Sequence, residues 1–236
     1  EEDAGKGGAS EEVVRQEGGG EAVGVEEGAG EEGAGRWRLG RDARGCAARW
    51  GRRRLMRIVT WNVNSLRARQ ERVEQWLGEV EPDVVLLQET KLADDAFPGL
   101  AFNALGYDSA HFGQGQWNGV AILSKVGIDD VVTNFAGDVD PDPDARIITA
   151  TCGGVRVSSV YVPNGRSLDD DHYTYKLSWL DRLVRHLDAD TDPSRDVIVG
   201  GDYNIAPDDR DVHDPSKLVG ATHVSQPERE RLAALE

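Results

Sequence analysis

Three short apolar segments of this chain each end in polar side chains that suit a hard metal ion. Trp61-Asn62 closes the first, Gln88-Glu89 the second, and Asp202-Tyr203-Asn204 follows the third. Ligands of α/β sheets bind at the carboxyl ends of the strands, so an amide and two carboxylates are expected to converge there. Mg2+ takes oxygen ligands, commonly one or two carboxylates and a substrate phosphate. The pattern predicts a magnesium site, although each residue alone is also a common turn former.

Zinc is not indicated, because it prefers nitrogen or sulfur ligands and the sequence shows no such set. The five histidines have no helical His pair or other ligand spacing, and we expect them on the surface or in ordinary packing. They are His111, His172, His186, His213 and His223. Cys46 and Cys152 lie in unlike contexts, so neither a disulfide framework nor a Cys-based zinc site is predicted.

The polar segments are joined by alternating strand and helix patterns, which predict an α/β fold. A strand is predicted over 58–63, an amphipathic helix between Leu66 and Val80, and a strand over 84–87 that is apolar on every residue and so buried on both faces. Gly153-Gly154 predicts a hairpin turn between two further strands. The remaining predicted elements are strands over 120–123, 146–151, 155–162 and 197–199, a helix from Tyr173 to Leu187, and a short helix from about Pro227.

Residues 1–55 differ in composition from the rest of the chain. They hold 14 of the 28 glycines, clusters of Glu, and an arginine-rich stretch. Such low hydrophobicity cannot offset chain entropy, so we predict a disordered extension, with a phosphate-binding basic arm as the alternative. Met56, the single methionine, directly precedes the first strand, and our hypothesis is that natural translation begins there. The predicted domain is 56–236.

The net charge of -16 argues against a protein that holds nucleic acid by bulk positive charge. No apolar run approaches the roughly 20 residues of a membrane-spanning helix. The acidic N-terminus is the opposite of the basic start of a signal peptide. We therefore expect a cytoplasmic protein with no membrane association.

Five short motifs occur in an order that is typical of one family. They are Trp61-Asn62-Val63-Asn64, Leu87-Gln88-Glu89-Thr90-Lys91, Trp117-Asn118-Gly119-Val120-Ala121, Tyr161-Val162-Pro163-Asn164-Gly165 and Gly201-Asp202-Tyr203-Asn204. From Met56 onward the chain resembles the exonuclease III branch of the endonuclease/exonuclease/phosphatase superfamily. The resemblance implies a four-layer α/β sandwich, in which two packed mixed β-sheets are flanked by helices.

The resemblance also implies a DNA-repair phosphodiesterase. Such an enzyme would be a 3′-to-5′ exonuclease on duplex DNA and an abasic-site endonuclease, acting as a monomer on double-stranded DNA with 3′ ends or abasic sites. Glu89 would bind Mg2+, or Mn2+, with help from Asn62. Tyr161 would stabilise the attacked phosphate, Asp202 would activate the water or assist the leaving oxygen, and Asn204 would position the nucleophile.

Four further residues are candidates for substrate binding. Lys91 would support the metal site or meet a phosphate. Asn118 and Arg146 are candidate DNA contacts, while Arg146 could instead only cap the strand that it begins. Trp117 lies in a polar loop, where it would stack on a base or an abasic gap, or else be an ordinary surface residue.

The family carries two further catalytic stretches near its C-terminus, Arg-Ile-Asp and Ser-Asp-His, and neither occurs in this sequence. We therefore expect that the C-terminal part of the domain is missing from this chain. An incomplete sequence of an active enzyme is favoured, and an inactive truncated remnant is the alternative. Another alternative keeps the fold but acts on a phosphoinositide or sphingomyelin head group, against which Lys91 and the segment 94–98 argue.

Overall fold

The computed structural model of the protein describes residues 55–136, 140–190 and 195–235. The predicted disordered extension therefore lies outside the described residues, except for Leu55. The strands are β1 (Ile58–Asn62), β2 (Val84–Gln88), β3 (Asp108–Phe112), β4 (Val120–Ser124), β5 (Asp129–Thr133), β6 (Ile147–Cys152), β7 (Val155–Tyr161) and β8 (Val197–Asp202). The helices are α1 (Leu66–Val80), α2 (Gly99–Ala104), α3 (Asp171–Asp190) and α4 (Gln226–Ala233).

The strands form two mixed sheets of four strands each. The first has the order β1-β2-β4-β3, with β1 and β2 parallel and the other pairs antiparallel. The second has the order β5-β6-β7-β8, and its parallel pair is β7 with β8. Each sheet therefore has one parallel pair whose carboxyl ends lie at the same edge, which is the arrangement that the site requires.

Three apolar clusters separate four layers. Leu86 and Ile122 of the first sheet pack against Ile148 and Val157 of the second, and all four are fully or almost fully buried. Residues of the alternate faces pack outward, against α1 and α2 on the first sheet and against α3 on the second. Because successive strand residues point to opposite faces, the all-apolar strand β2 serves two clusters at once. The predicted four-layer α/β sandwich is confirmed.

Local sequence explains most of the element boundaries. Helix α1 ends at Glu81 in the left-handed conformation (φ 50°), directly before Pro82. The predicted hairpin turn is confirmed, since Gly153 and Gly154 both have positive φ between β6 and β7. Strand β8 continues past the predicted Val199 to Asp202. Within the described residues, the helices are too short or too polar to cross a membrane.

The two sheets approach closely beside the strand ends. A methyl group added at Gly200 in β8 would lie 2.7 Å from Cδ1 of Leu86 in β2. Gln88 Nε2 donates to Ser159 Oγ at 3.0 Å, and Ser159 Oγ donates to the carbonyl oxygen of Leu87 at 3.0 Å. These buried hydrogen bonds hold the carboxyl ends of β2 and β7 in fixed relation.

Candidate active site

One amide nitrogen joins the ends of the two sheets. Asn62 Nδ2 donates to Glu89 Oε1 at 2.7 Å and to Asp202 Oδ2 at 2.8 Å. Asn62 ends β1, Glu89 follows β2, and Asp202 ends β8 in the other sheet. The amide and the two carboxylates that the sequence predicts to converge thus meet at Asn62, since Glu89 and Asp202 each accept a hydrogen bond from it.

The turn that carries Glu89 has an unusual backbone. Glu89 and Lys91 both have φ of 52°, a left-handed conformation that is uncommon for residues other than glycine. The turn is fixed by neighbouring backbone, since Ser65 N–H donates to the Glu89 carbonyl at 2.7 Å and Lys91 N–H to the Asn118 carbonyl at 2.9 Å. Strained conformations persist where the surroundings determine them, and they concentrate at functional sites.

Glu89 is held as a carboxylate. Burial, the largest single influence, opposes its ionisation, but hydrogen bonds from Lys91 and Asn62 and the charge of Lys91 outweigh burial and lower the pKa of Glu89. Lys91 Nζ lies 2.8 Å from Glu89 Oε2 and also donates to Asn64 Oδ1. Lys91 is therefore placed beside the carboxylate, in agreement with a supporting role at this site.

Tyr161, at the end of β7, has the guanidinium group of Arg146 over its ring. The guanidinium carbon of Arg146 lies 4.9 Å from the centroid of the Tyr161 ring, and Nη1 donates to the Tyr161 carbonyl at 3.3 Å. Arg146 Nε also pairs with Asp144 Oδ2 at 2.9 Å, and the Arg146 side chain is only 10% exposed. The Arg146 guanidinium therefore contacts Asp144 and Tyr161 in this structure, and its role as a DNA contact or as a cap of its strand stays a prediction.

The Tyr161 hydroxyl is a hydrogen-bond donor at any physiological pH. Burial and then the negative charge of Glu89 raise the pKa of Tyr161 to about 12, while Arg146 acts in the opposite direction. A neutral hydroxyl beside a carboxylate can donate to a phosphate oxygen but cannot act as a base.

Asp202 and Asn204 belong to one tight turn after β8. Asn204 N–H donates to Asp202 Oδ1 at 3.0 Å, and Asn204 Nδ2 donates to the Val162 carbonyl at 3.0 Å. Asn204 has a φ of 50°, again left-handed. The contacts of Asn204 therefore orient the Asp202 carboxylate and tie this turn to the end of β7.

Trp117 and Asn118 lie on the loop next to the Glu89 turn. Trp117 is 66% exposed, and Asn118 is half-buried with a left-handed φ of 54°. Because the Asn118 carbonyl accepts from Lys91 N–H, this loop is fixed relative to the carboxylates. An exposed indole in such a place is available to stack on a base.

The donor chemistry of the cluster fits a hard divalent cation. Glu89 and Asp202 offer carboxylate oxygens, and magnesium sites commonly use one or two carboxylates. Asn62 directs its nitrogen at both, while Asn62 Oδ1 accepts from Asn64 N–H at 2.9 Å. Asn62 would therefore orient the carboxylates, and its oxygen would reach a metal only if the amide turned over. The described residues contain no cluster of three or more His, Cys, Asp or Glu.

Sequence reasoning missed one residue of this region, Lys176 in α3. Its side chain is fully buried, and Nζ donates to the Asn204 carbonyl at 2.6 Å. The available signal was its helical spacing, because Lys176 falls on the same face as Tyr173 and Leu180. A lysine on the apolar face of a helix needs a buried partner.

Comparison with known proteins gives consistent matches. The model of the endonuclease/exonuclease/phosphatase family matches residues 59–232. Exodeoxyribonuclease III of Haemophilus influenzae is 35% identical over 162 residues, which are 66% of this chain and 60% of that protein. The chain thus spans less than two thirds of that relative.

Two solved structures resemble the fold described above. An AP endonuclease from Archaeoglobus fulgidus has a TM-score of 0.73 at 36% identity, over 77% of this chain and 70% of that one. A variant of the 3′ phosphatase NExo from Neisseria, bound to a product DNA hairpin, has a TM-score of 0.72 at 39% identity, over 75% and 69% of the two chains.

Proposed function

Since this chain belongs to the endonuclease/exonuclease/phosphatase family, we propose that it is a divalent-metal-dependent DNA phosphodiesterase of the exonuclease III type. It would remove nucleotides from 3′ ends of duplex DNA and incise DNA at abasic sites. The resemblance found in the motifs is confirmed by the family match. The relatives' names, an exodeoxyribonuclease, an AP endonuclease and a phosphatase bound to DNA, support DNA over a lipid head group as the substrate.

The observation that carries the proposal is the convergence of Asn62, Glu89 and Asp202 at the ends of strands from two sheets. Hydrolysis of a phosphodiester needs charge stabilisation at the phosphate, an activated water and a protonated leaving oxygen. Glu89, oriented by Asn62, would hold Mg2+ or Mn2+, which would polarise the phosphate oxygens as a Lewis acid. Asp202, which accepts from the same Asn62 amide as Glu89, would take a proton from the water or assist the leaving oxygen.

The remaining residues would orient the substrate. Tyr161 would donate a hydrogen bond to the attacked phosphate, and Arg146 would act through Tyr161 by covering its ring. Asn204 would hold the Asp202 turn in place. Lys91 would balance the charge of Glu89 or meet a phosphate, while Asn118 and Trp117 would contact DNA from the neighbouring loop. The proposal also includes a cytoplasmic, monomeric enzyme.

Cleavage by the full gene product on three substrates tests the proposal. They are duplex DNA with a recessed 3′ end, duplex DNA with one abasic site, and sphingomyelin or phosphoinositide vesicles, each with Mg2+ or with a chelator. We expect metal-dependent cleavage of both DNA substrates and none of the lipids. Asp202→Asn should lose at least about 10²-fold in kcat, because it removes the proton acceptor.

Asp169→Asn is the matched control, because Asp169 is exposed and lies outside the site. This variant should cleave DNA like the wild type. Hydrolysis of the lipids in place of DNA, or full activity of Asp202→Asn, would overturn the proposal.

A further inference from the structure

Lys176 and Glu228 form an ion pair in the interior of the protein. Lys176 Nζ lies 2.6 Å from Glu228 Oε1, and both side chains are 0% exposed. Removing two charges from water is costly unless additional hydrogen bonds satisfy them. The remaining contacts of the pair show where that cost is offset.

The lysine connects the turns that follow the parallel strands β7 and β8. Nζ donates to the Asn204 carbonyl at 2.6 Å and to the Asn164 carbonyl at 3.4 Å. The turn after β7 also wraps around the lysine stem, since a methyl group at Gly165 would lie 3.1 Å from Lys176 Cδ. The Lys176 ammonium group thus contacts both turns. One turn begins at Tyr161 and the other at Asp202.

The glutamate is itself anchored to the beginning of α4. Its Oε2 accepts from Ser225 N–H at 3.0 Å and from Ser225 Oγ at 2.6 Å, and its Oε1 accepts from His223 N–H at 3.0 Å. With three donors besides the lysine, the carboxylate has little freedom to move. Helix α4 therefore fixes Glu228, which fixes Lys176, which in turn contacts the Asn204 backbone.

We infer that Lys176 is a positioning residue for the proposed nuclease site, and that Glu228 holds it in place. Lys176 donates to the Asn204 carbonyl, and the Asn204 N–H in turn orients the Asp202 carboxylate. The inference rests on the proposed function. It adds that α4, which contributes no group to the site, determines the geometry of the turn after β8.

The test compares two ion pairs that both involve α3, one fully buried and one partly buried. Lys176→Met/Glu228→Gln removes the pair beside the site without leaving an unpaired charge. The control, Arg156→Met/Asp190→Asn, removes a bidentate pair at the opposite end of β7, where Arg156 Nε lies 2.8 Å and Nη2 3.0 Å from Asp190 oxygens. Amide hydrogen exchange is measured over residues 200–206, and kcat and KM are measured on abasic duplex DNA.

The site pair should behave differently from the control. We expect exchange over 200–206 to quicken by about tenfold or more in Lys176→Met/Glu228→Gln, and kcat to fall by about 10 to 10²-fold with little change in KM, because the turn loses its geometry rather than its substrate contacts. Lys176→Gln/Glu228→Gln, which also leaves no unpaired charge but retains a donor at position 176, should give an intermediate kcat. The control should leave both readouts near the wild-type values.

Each result bears on one of the two claims. Exchange over 200–206 that is no faster than in the control would overturn the positioning role, whatever the activity. Loss of activity to the same extent in both double variants would also overturn it, because a general loss of stability would then suffice. If the wild type cleaves no DNA, the proposed function fails, and hydrogen exchange still decides whether Lys176 fixes the turn.

Discussion

At the residue scale, Tyr161 and Glu89 lie close enough for each to shift the pKa of the other. Burial and then the charge of Glu89 raise the pKa of Tyr161, while Lys91 and Asn62 outweigh the effect of burial and lower the pKa of Glu89. The two shifts have opposite signs, so the carboxylate stays ionised and the phenol stays protonated across the neutral range. In the proposed reaction Tyr161 would therefore donate to the phosphate and would not act as a base.

Replacing Tyr161 by Phe tests that donor role. The variant keeps the ring under Arg146 but loses the hydroxyl, and we expect kcat on abasic duplex DNA to fall by about 10² to 10³-fold. Tyr107→Phe is the control, because Tyr107 is buried and its hydroxyl donates to the Pro82 carbonyl at 2.9 Å, outside the site. An equal fall in the two variants would argue against the role of Tyr161.

The pH dependence follows from the same pKa. Because the pKa of Tyr161 is raised to about 12, its hydroxyl keeps its proton as the pH rises through about 10. At that pH half of the molecules of a free tyrosine would be ionised. The phenolate absorbance of the wild type minus that of Tyr161→Phe should therefore stay flat up to about pH 11. A difference signal that titrates near pH 10 would contradict the raised pKa of Tyr161.

At the scale of elements, the register of β8 against β7 places Asp202 opposite Tyr161. Gly201 allows this register, because a methyl group there would lie 2.0 Å from the Val160 carbonyl oxygen. Gly201→Ala should lower the free energy of unfolding by about 1–3 kcal/mol or more, and displace Asp202 as the strand shifts. Chemical denaturation measures the first effect and kcat the second.

Gly78 in α1 is the matched control for that substitution. No atom lies within 4 Å of a methyl group at this position, so Gly78→Ala should raise stability by about 0.5–1 kcal/mol through helix propensity. If Gly201→Ala is as stable as the wild type, the close approach of β7 and β8 does not constrain the site.

The sequence predicted the elements with a clear apolar pattern and missed short elements whose apolar residues form no such pattern. Strand β2, buried at all five residues, was evident from its composition alone. Strands β3 and β5 were not predicted, because β3 is only half-buried and β5 is mostly exposed, and both gain their structure from pairing with a neighbour. Helix α2 has only six residues, too few to show a helical period.

The same contrast holds for the site. Residues at strand ends, such as Glu89 and Asp202, could be proposed because the strand before each of them was visible in the sequence. Lys176 could not, since its partners lie in turns and a helix up to 52 residues away along the chain, and only the fold brings them together. The packing of Arg146 on Tyr161 depends likewise on the pairing of β6 with β7.

At the scale of the whole molecule, the acidity of the chain would oppose binding of the proposed DNA substrate. From Met56 onward the chain carries 31 acidic and 17 basic side chains, so phosphates are repelled at long range. We predict that binding to duplex DNA without Mg2+ is weak and weakens further with added salt, because a few cations such as Lys91 supply the attraction. Fluorescence anisotropy with labelled abasic duplex, over a salt series with and without Mg2+, measures this dependence.

In that salt series, Mg2+ should strengthen binding at each salt concentration. Tight binding in high salt without metal would contradict the prediction.

Cleavage of abasic duplex DNA by Glu89→Gln tests the central claim most directly, that this carboxylate holds the metal on which phosphodiester hydrolysis depends. Glu71→Gln on the exposed side of α1 is the control, and folding of both is checked by circular dichroism. We predict that Glu89→Gln retains the fold, loses at least about 10³-fold in Mg2+-dependent kcat and weakens Mg2+ binding in calorimetry, while Glu71→Gln matches the wild type. Cleavage by Glu89→Gln at the wild-type rate would contradict the account.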